Sequence, residues 1–170
     1  MESAPDEAEP ISRPVRRWAA DRNGITKRDG AASTIPGIRR AAAGRRRVIL
    51  HVDESWILEV AERAGHRDPA ADDYGVPIAA VARHRGELLD TPVYDGAYSR
   101  AAALVHSLGR CRWLERSNLT VACAAAVMYL EASNIPVNPT REQLTALAHE
   151  LNNPRCTAAR IASVLRTWKP

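Results

Sequence analysis

Apolar residues recur at helical spacing along most of the chain. The first such segment follows Asp53, whose side chain favours a helix N-cap, and it stops at Gly65, a residue typical of helix ends. A second helix is expected to begin around Val76 and Pro77, because proline is tolerated in a first turn. A third helix is expected over about residues 97–108.

The most apolar segment is the helix predicted over residues 118–132. Small and large apolar residues cover nearly every face of it, a pattern that predicts a central, buried helix. Thr140 and Gln143 then form the signature of a capping box, and Thr157 stands where the last helix would be capped. Because no segment alternates in the way a strand does, the predicted fold is all-α: a single compact helical domain of about five to six helices.

The first 47 residues lack any sustained period. Prolines and glycines interrupt them repeatedly, at Pro5, Pro10, Pro14, Gly24, Gly30, Pro36, Gly37 and Gly44. Such a composition predicts a disordered, basic N-terminal extension over residues 1–47, followed by a folded domain over residues 48–170. Its arginines favour either a basic arm for nucleic acid or an acidic partner, or else a solvated tail or a translated upstream sequence.

The net charge of +4 is divided unevenly between these two parts. Residues 1–47 contain eleven Lys/Arg against six Asp/Glu, a net of +5, whereas residues 48–170 contain thirteen against fourteen, a net of −1. A folded part without excess positive charge lacks the electrostatic basis for binding phosphate backbones. Nucleic acid is therefore not an expected partner of the folded domain.

Other broad classes are excluded by composition. No apolar run approaches the roughly 18–20 residues of a membrane span, and the acidic N-terminus lacks the apolar region of a secretory signal. The three cysteines show no CxxC spacing and fit neither a disulfide framework nor a zinc site. The expectation is a cytoplasmic protein with reduced thiols, no membrane partner and no metal site of its own.

The segment before the central helix carries the functional inference. It reads, in order, Arg112, Trp113, Leu114, Glu115, Arg116, Ser117, Asn118, Leu119, Thr120. This segment resembles the catalytic loop of the Fic/Doc family, closest to the death-on-curing toxins, in which His-x-Phe-x-Asp/Glu-x-Asn-Lys/Gly-Arg precedes a long buried helix. The order of predicted helices over about residues 48–168 is similar to that family as well.

The resemblance implies the toxin component of a toxin–antitoxin system that transfers AMP or a phosphoryl group from ATP, with Mg²⁺, to a protein hydroxyl. In the family loop the histidine is the general base, the carboxylate holds Mg²⁺, and the basic residues with the helix N-terminus bind phosphate. The resemblance also implies a small cognate antitoxin that covers the loop. A target in the translation machinery, such as elongation factor Tu, is implied in the same way.

This chain departs from the family loop at its reactive positions. The base position is Arg112, which stays protonated at physiological pH, and the metal-carboxylate position is Arg116, with Glu115 one residue away. The basic pair is replaced by Leu119 and Thr120. Only the asparagine of the polar signature remains, and an asparagine at a helix start is also a good N-cap. Catalysis is therefore expected to be impaired or lost, and ATP and Mg²⁺ are implied by resemblance alone.

Several alternatives stay open at this level. Arg110, Arg112, Glu115, Arg116 and Asn118 form a candidate cofactor-binding or anion-binding loop, or else a solvated arginine loop. His106 is the nearest imidazole to a displaced active site, although a lone helical histidine is ordinarily structural. The alternative function is a non-catalytic helical module for protein–protein interaction. A helical nucleic-acid binder with a basic arm ranks last.

Overall fold

The computed structural model describes residues 39–41 and 49–168, and this part of the chain is mostly helical. Its six α-helices are α1 (Glu54–Ala64), α2 (Gly75–Arg85), α3 (Ala97–Arg110), α4 (Asn118–Ala132), α5 (Arg141–Asn152) and α6 (Ala158–Leu165). None of the helices in the described ranges is long and apolar enough to cross a membrane. The predicted all-α class is confirmed at this coarse level.

Four short strands accompany the helices. β1 (Arg39–Ala41) pairs antiparallel with β2 (Ile49–His51), and β3 (Glu87–Leu88) pairs antiparallel with β4 (Thr91–Pro92). Strands of two or three residues are too short for alternation to be visible in a sequence, which is why none was expected. The predicted disordered extension falls outside the described residues, apart from β1.

The expected helix caps are present. The Asp53 carboxylate accepts a hydrogen bond from the Trp56 N–H at 3.0 Å, which satisfies a free donor of the first turn of α1. The capping box of α5 forms between Thr140 and Gln143, and Thr157 accepts from a backbone N–H of α6. Each cap joins residues within one turn of the chain, so it can be predicted from the sequence without knowledge of the tertiary structure.

Helix α3 contacts more of the other helices than α4 does, so the predicted central position of α4 is not observed, whereas the predicted burial of α4 is confirmed. Val121, Ala122, Cys123, Ala125, Ala126, Val127, Tyr129 and Leu130 are all buried along it. Helix α3 packs against α4, and α2 and α6 also pack against α3. At Gly109 in α3 an added Cβ would meet Leu151 Cδ1 at 2.8 Å, so a glycine permits the close approach of α3 and α5.

The connection between α3 and α4 is short and is buried at its middle. Gly109 and Arg110 still belong to α3, and the side chains of Trp113 and Leu114 are fully buried. Burying a tryptophan and a leucine is favourable by several kcal/mol in total, on the order of 1.5–3 kcal/mol for each large side chain. The middle of the connection is therefore buried in the core, and only its two ends are exposed.

Candidate functional site

Residues 112–117, the first part of the segment that resembles the Fic/Doc loop, are hydrogen-bonded to the connection between α1 and α2. The N–H of Asp72 donates to the Trp113 carbonyl at 2.8 Å, and the N–H of Glu115 donates to the Ala70 carbonyl at 3.1 Å. Ala71 and Leu114 form an antiparallel bridge between these two hydrogen bonds. The loop is thus held by a short ladder of backbone contacts from another part of the chain.

The side chain of Asn118 closes the same loop from the other side. Its Oδ1 accepts from the N–H groups of Trp113 and Leu114, both at 3.0 Å, and its Nδ2 donates to the Leu114 carbonyl at 2.7 Å. The interpretation of Asn118 as the N-cap is wrong, because Ser117 occupies that position with a left-handed backbone. Asn118 is the first residue of α4, and its amide is committed to the loop backbone.

The three arginines of the candidate site do not share one role. Arg110 donates to the carbonyls of Leu151 at 2.8 Å and Asn153 at 2.6 Å, and so it caps the C-terminal end of α5. Arg116 pairs with Glu115, and the side chain of Arg112 is exposed. The structure brings Glu115 and Arg116 together, whereas it directs Arg110 to a different helix end.

Glu115 is the one carboxylate of the loop sequence, and it already has partners. Hydrogen bonding from Arg116, and then from the Ala70 N–H, lowers the pKa of Glu115, so this side chain is ionised at neutral pH. A carboxylate paired with a guanidinium is a poor ligand for Mg²⁺, which needs several oxygen ligands in octahedral geometry. Within the described ranges no group of three or more His, Cys, Asp or Glu side chains could hold a metal. These residues do not fit the Mg²⁺ that the resemblance implies.

His106 has partners at both ring nitrogens. Its Nδ1 lies 2.7 Å from Nη1 of Arg83, and its Nε2 lies 3.4 Å from the Cys156 carbonyl oxygen. Burial, followed by the charge of Arg83, lowers the pKa of His106. A neutral imidazole that accepts from an arginine on one side and faces a carbonyl on the other ties helices together. It has no free nitrogen for a substrate hydroxyl.

His66 is a histidine whose backbone the fold brings beside the loop, and the sequence pattern does not single it out. The backbone N–H of His66 donates to Ser117 Oγ at 3.1 Å, across 51 positions of sequence, and the His66 side chain is exposed. Arg67 and Asp68 follow it with φ values of 55° and 45°. Left-handed backbone at non-glycine residues is costly and recurs at functional sites as well as in turns. No sequence signal marks His66, because the contact depends on the packing of two distant loops.

A second surface feature is an exposed apolar strip on α2 and the hairpin that follows it. The strip consists of Tyr74, Ile78, Leu88, Leu89 and Val93, whose side chains are 60, 57, 69, 90 and 55% exposed. Leu89 stands at the tip of the hairpin with φ of 50°, a conformation unfavourable for a large side chain. Exposed large apolar side chains are typical of interaction surfaces where they lie together.

The arrangement as a whole is a rigid loop ahead of a buried helix, without a base or a metal site of the family type. The half-buried residues Leu119 and Thr120, in the first turn of α4, supply no cationic side chain for phosphate. Comparison of the chain with protein-family models, curated proteins and solved structures finds no match.

Proposed function

We propose that this chain is the toxin component of a Fic/Doc-type toxin–antitoxin pair in which the transfer chemistry is impaired or lost. The observation that carries the proposal is the loop ahead of α4: its shape is fixed by Asn118 and by the ladder to residues 70–73, while its reactive positions hold Arg112 and Arg116. A fixed loop before a buried central helix is what the resembling family uses. The residues within it are unsuited to the family's reaction.

Each departure removes a separate contribution to catalysis. General-base catalysis is typically worth about 100- to 10,000-fold, and the Arg112 guanidinium cannot accept a proton at neutral pH. The Glu115–Arg116 pair replaces a metal-binding carboxylate, and Leu119 replaces a phosphate-binding cation. Because these losses act on one transition state, a small residual rate is the most that we expect.

The test is labelling of a cell lysate with radiolabelled ATP. The wild-type chain should give no labelled band, and a variant with Arg112→His, Arg116→Asp, Leu119→Lys and Thr120→Arg should give some. A matched control carries the same last three substitutions with Arg112→Ala, so that only the base differs. Strong labelling by the wild type would overturn the proposal.

If the wild-type chain labels strongly, His66 is the next residue to test. If the wild type were active, His66→Ala would test whether the exposed side chain of His66, whose backbone contacts Ser117, has replaced the loop histidine. His106→Ala would serve as the comparison, because the His106 ring is already held by Arg83 and Cys156. A loss of labelling in the first variant alone would assign the base to His66.

The partners belong to the same proposal. A cognate small antitoxin is expected to bind over the loop, and the protein is expected to act in the cytoplasm on a component of translation such as elongation factor Tu. Co-purification of the full chain with the product of an adjacent short reading frame tests the first of these. Failure of any adjacent product to bind would remove the antitoxin from the proposal.

The alternative is a non-catalytic module for protein–protein interaction, and the exposed apolar strip favours it. Exposed acidic residues lie on and beside the hairpin, at Glu87, Asp90 and Asp95, so the strip suits a partner with an apolar groove and a basic rim. Leu88→Asp and Leu89→Asp should leave folding unchanged, since both side chains are exposed, and should weaken partner binding. Thr145→Asp, on the exposed face of α5, is the matched control.

A further inference from the structure

A cluster of polar side chains lies inside the molecule, apart from the loop ahead of α4. It contains His51 of β2, His84 of α2, Arg100 of α3 and Tyr129 of α4. His84 and Arg100 are only 1 and 4% exposed. The His84 ring meets the Tyr129 ring edge-on at 5.1 Å and the His51 ring at 5.9 Å between centroids. Four elements therefore meet at one buried imidazole.

The same cluster attaches β2 to the helices. The Tyr129 hydroxyl donates to the Leu50 carbonyl at 2.9 Å, and Arg85 donates to the Val52 carbonyl through Nε at 3.0 Å and Nη2 at 2.6 Å. Among the described strands β2 pairs only with β1, so its link to the core is made by these side chains and by apolar contacts. A three-residue strand held in this way is a segment that can open locally while the helices stay folded.

We propose that His51, His84, Arg100 and Tyr129 form an acid-sensitive latch, which holds β2 to the helical core at neutral pH and releases it when His84 takes up a proton. In the closed state Nδ1 of His84 faces the Arg100 carbonyl oxygen at 3.4 Å, and its Nε2 is buried without a partner among the described residues. A protonated ring would carry two N–H donors and a positive charge at this position. The closed latch offers the Arg100 carbonyl to one of these donors, but no partner to Nε2 and no carboxylate to balance the charge.

The charges around the cluster oppose protonation. Burial, with the charges of Arg100 and His51, lowers the pKa of His84 to about 4. The backbone carbonyls of Arg100 and Leu50 act in the opposite direction and raise it. None of these groups is a carboxylate. Burial, Arg100 and Arg85 lower the pKa of His51, and among the described residues the carboxylate of Glu87 on β3 acts to raise it. Tyr129 stays neutral, because burial raises its pKa to about 12.

The direction of the pH effect follows from linkage. A histidine whose pKa is lowered in the closed state contributes stability above its ordinary pKa of 6.5, and this stability is lost as the pH falls towards about 4. The proton then enters only when the latch opens. Linkage predicts that the equilibrium for opening rises roughly 50-fold between pH 7 and pH 4.5.

Amide hydrogen exchange of the full chain, followed by NMR and corrected for the intrinsic rate at each pH, tests the latch. Acid should remove protection from the amides of residues 49–52 by roughly that factor while those of Val127 and Leu130 in α4 stay protected. His84→Phe, which keeps an aromatic ring against Tyr129 without a titrating group, should abolish the effect. If the His84→Phe variant does not fold, His84→Gln serves the same purpose. His149→Phe, at an exposed histidine, is the control.

Three results would overturn the proposal. Equal loss of protection in β2 and α4 would mean that acid unfolds the whole domain rather than opening a latch. An unchanged pH dependence in the His84 variants would assign the effect to another group. Titration of the His84 ring signal near its ordinary pKa without any opening would also refute it.

Discussion

The amide of Asn118 illustrates how a single side chain acquires its role from the backbone around it. Its oxygen accepts from two consecutive N–H groups, of Trp113 and Leu114, and its nitrogen donates back to the Leu114 carbonyl. These backbone groups flank fully buried apolar side chains, so losing the amide would leave donors poorly solvated. Asn118 therefore holds the loop in place, a role that needs no bound phosphate.

Replacing Asn118 by alanine is expected to lower the free energy of unfolding by about 2 kcal/mol, because two partly buried N–H groups lose their acceptor. Asn118→Asp should cost less, since a carboxylate accepts the same two hydrogen bonds and is favoured near a helix N-terminus. Urea unfolding measures both values. Asn138→Ala, at an exposed asparagine, is the control, and an equal effect of the alanine and aspartate variants would contradict this role.

At the scale of elements, the ends and faces of the helices explain most of the candidate residues. Arg110 belongs to the last turn of α3 but serves α5, whose terminal carbonyls lack partners within the helix. Helix α4 is buried on nearly every face, so its stability comes from packing rather than from one amphipathic stripe. A charged side chain is therefore tolerated at Arg110, at the exposed end of α3, but not inside the buried helix α4.

Arg110→Ala is expected to destabilise the fold by about 1 kcal/mol, because the carbonyls of Leu151 and Asn153 lose a charged donor that is partly screened by solvent. Thermal unfolding with and without phosphate separates this role from anion binding. If Arg110 belonged to an anion site, phosphate would stabilise the wild type and not the variant. Arg155→Ala, an exposed arginine near the same corner, should leave stability unchanged.

Val127→Asp or Leu130→Asp in α4 is expected to abolish soluble expression. The two wild-type side chains are 4 and 0% exposed, and an unpaired buried carboxylate costs several kcal/mol, comparable with the stability of a whole domain. Soluble yield and circular dichroism are the measurements, with Thr145→Asp as an exposed control. Normal melting of either α4 variant would contradict the burial of this helix.

For the whole molecule, the question is how far the N-terminal segment takes part in folding. The structure describes β1 in this segment, and β1 makes its main contacts with β2. β2 is itself held to the helices by Tyr129 and Arg85. The helical domain is therefore expected to stand without residues 1–47.

A chain that begins at Val48 should keep the helical circular dichroism of the full chain and melt within about 5 °C of it. A shift of that size corresponds to roughly 1 kcal/mol for a domain of this length. A larger drop would show that the N-terminal segment packs on the core. A control chain that begins at Arg39 and keeps β1 would then locate the missing contribution.

Much of the architecture was accessible from local patterns. The caps at Asp53, Thr140 and Thr157 and the burial of α4 are confirmed, because a cap acts within one turn and a helix without a polar face has to be buried. The boundaries of α2 and α3 were less accurate, since local propensities are weak at helix ends. The Fic/Doc resemblance and the disordered extension stay predictions.

The sequence alone determined the helical class, the burial of α4 and the identity of the loop residues, because these depend on spacing and residue type along a continuous stretch of chain. Only the tertiary structure decided which groups meet. It placed Arg110 on α5, the His66 backbone beside Ser117, Arg83 on His106, and His84 against the Arg100 carbonyl. Such contacts join residues 16 to 51 positions apart, and they arise from how helices and loops pack, which no local period encodes.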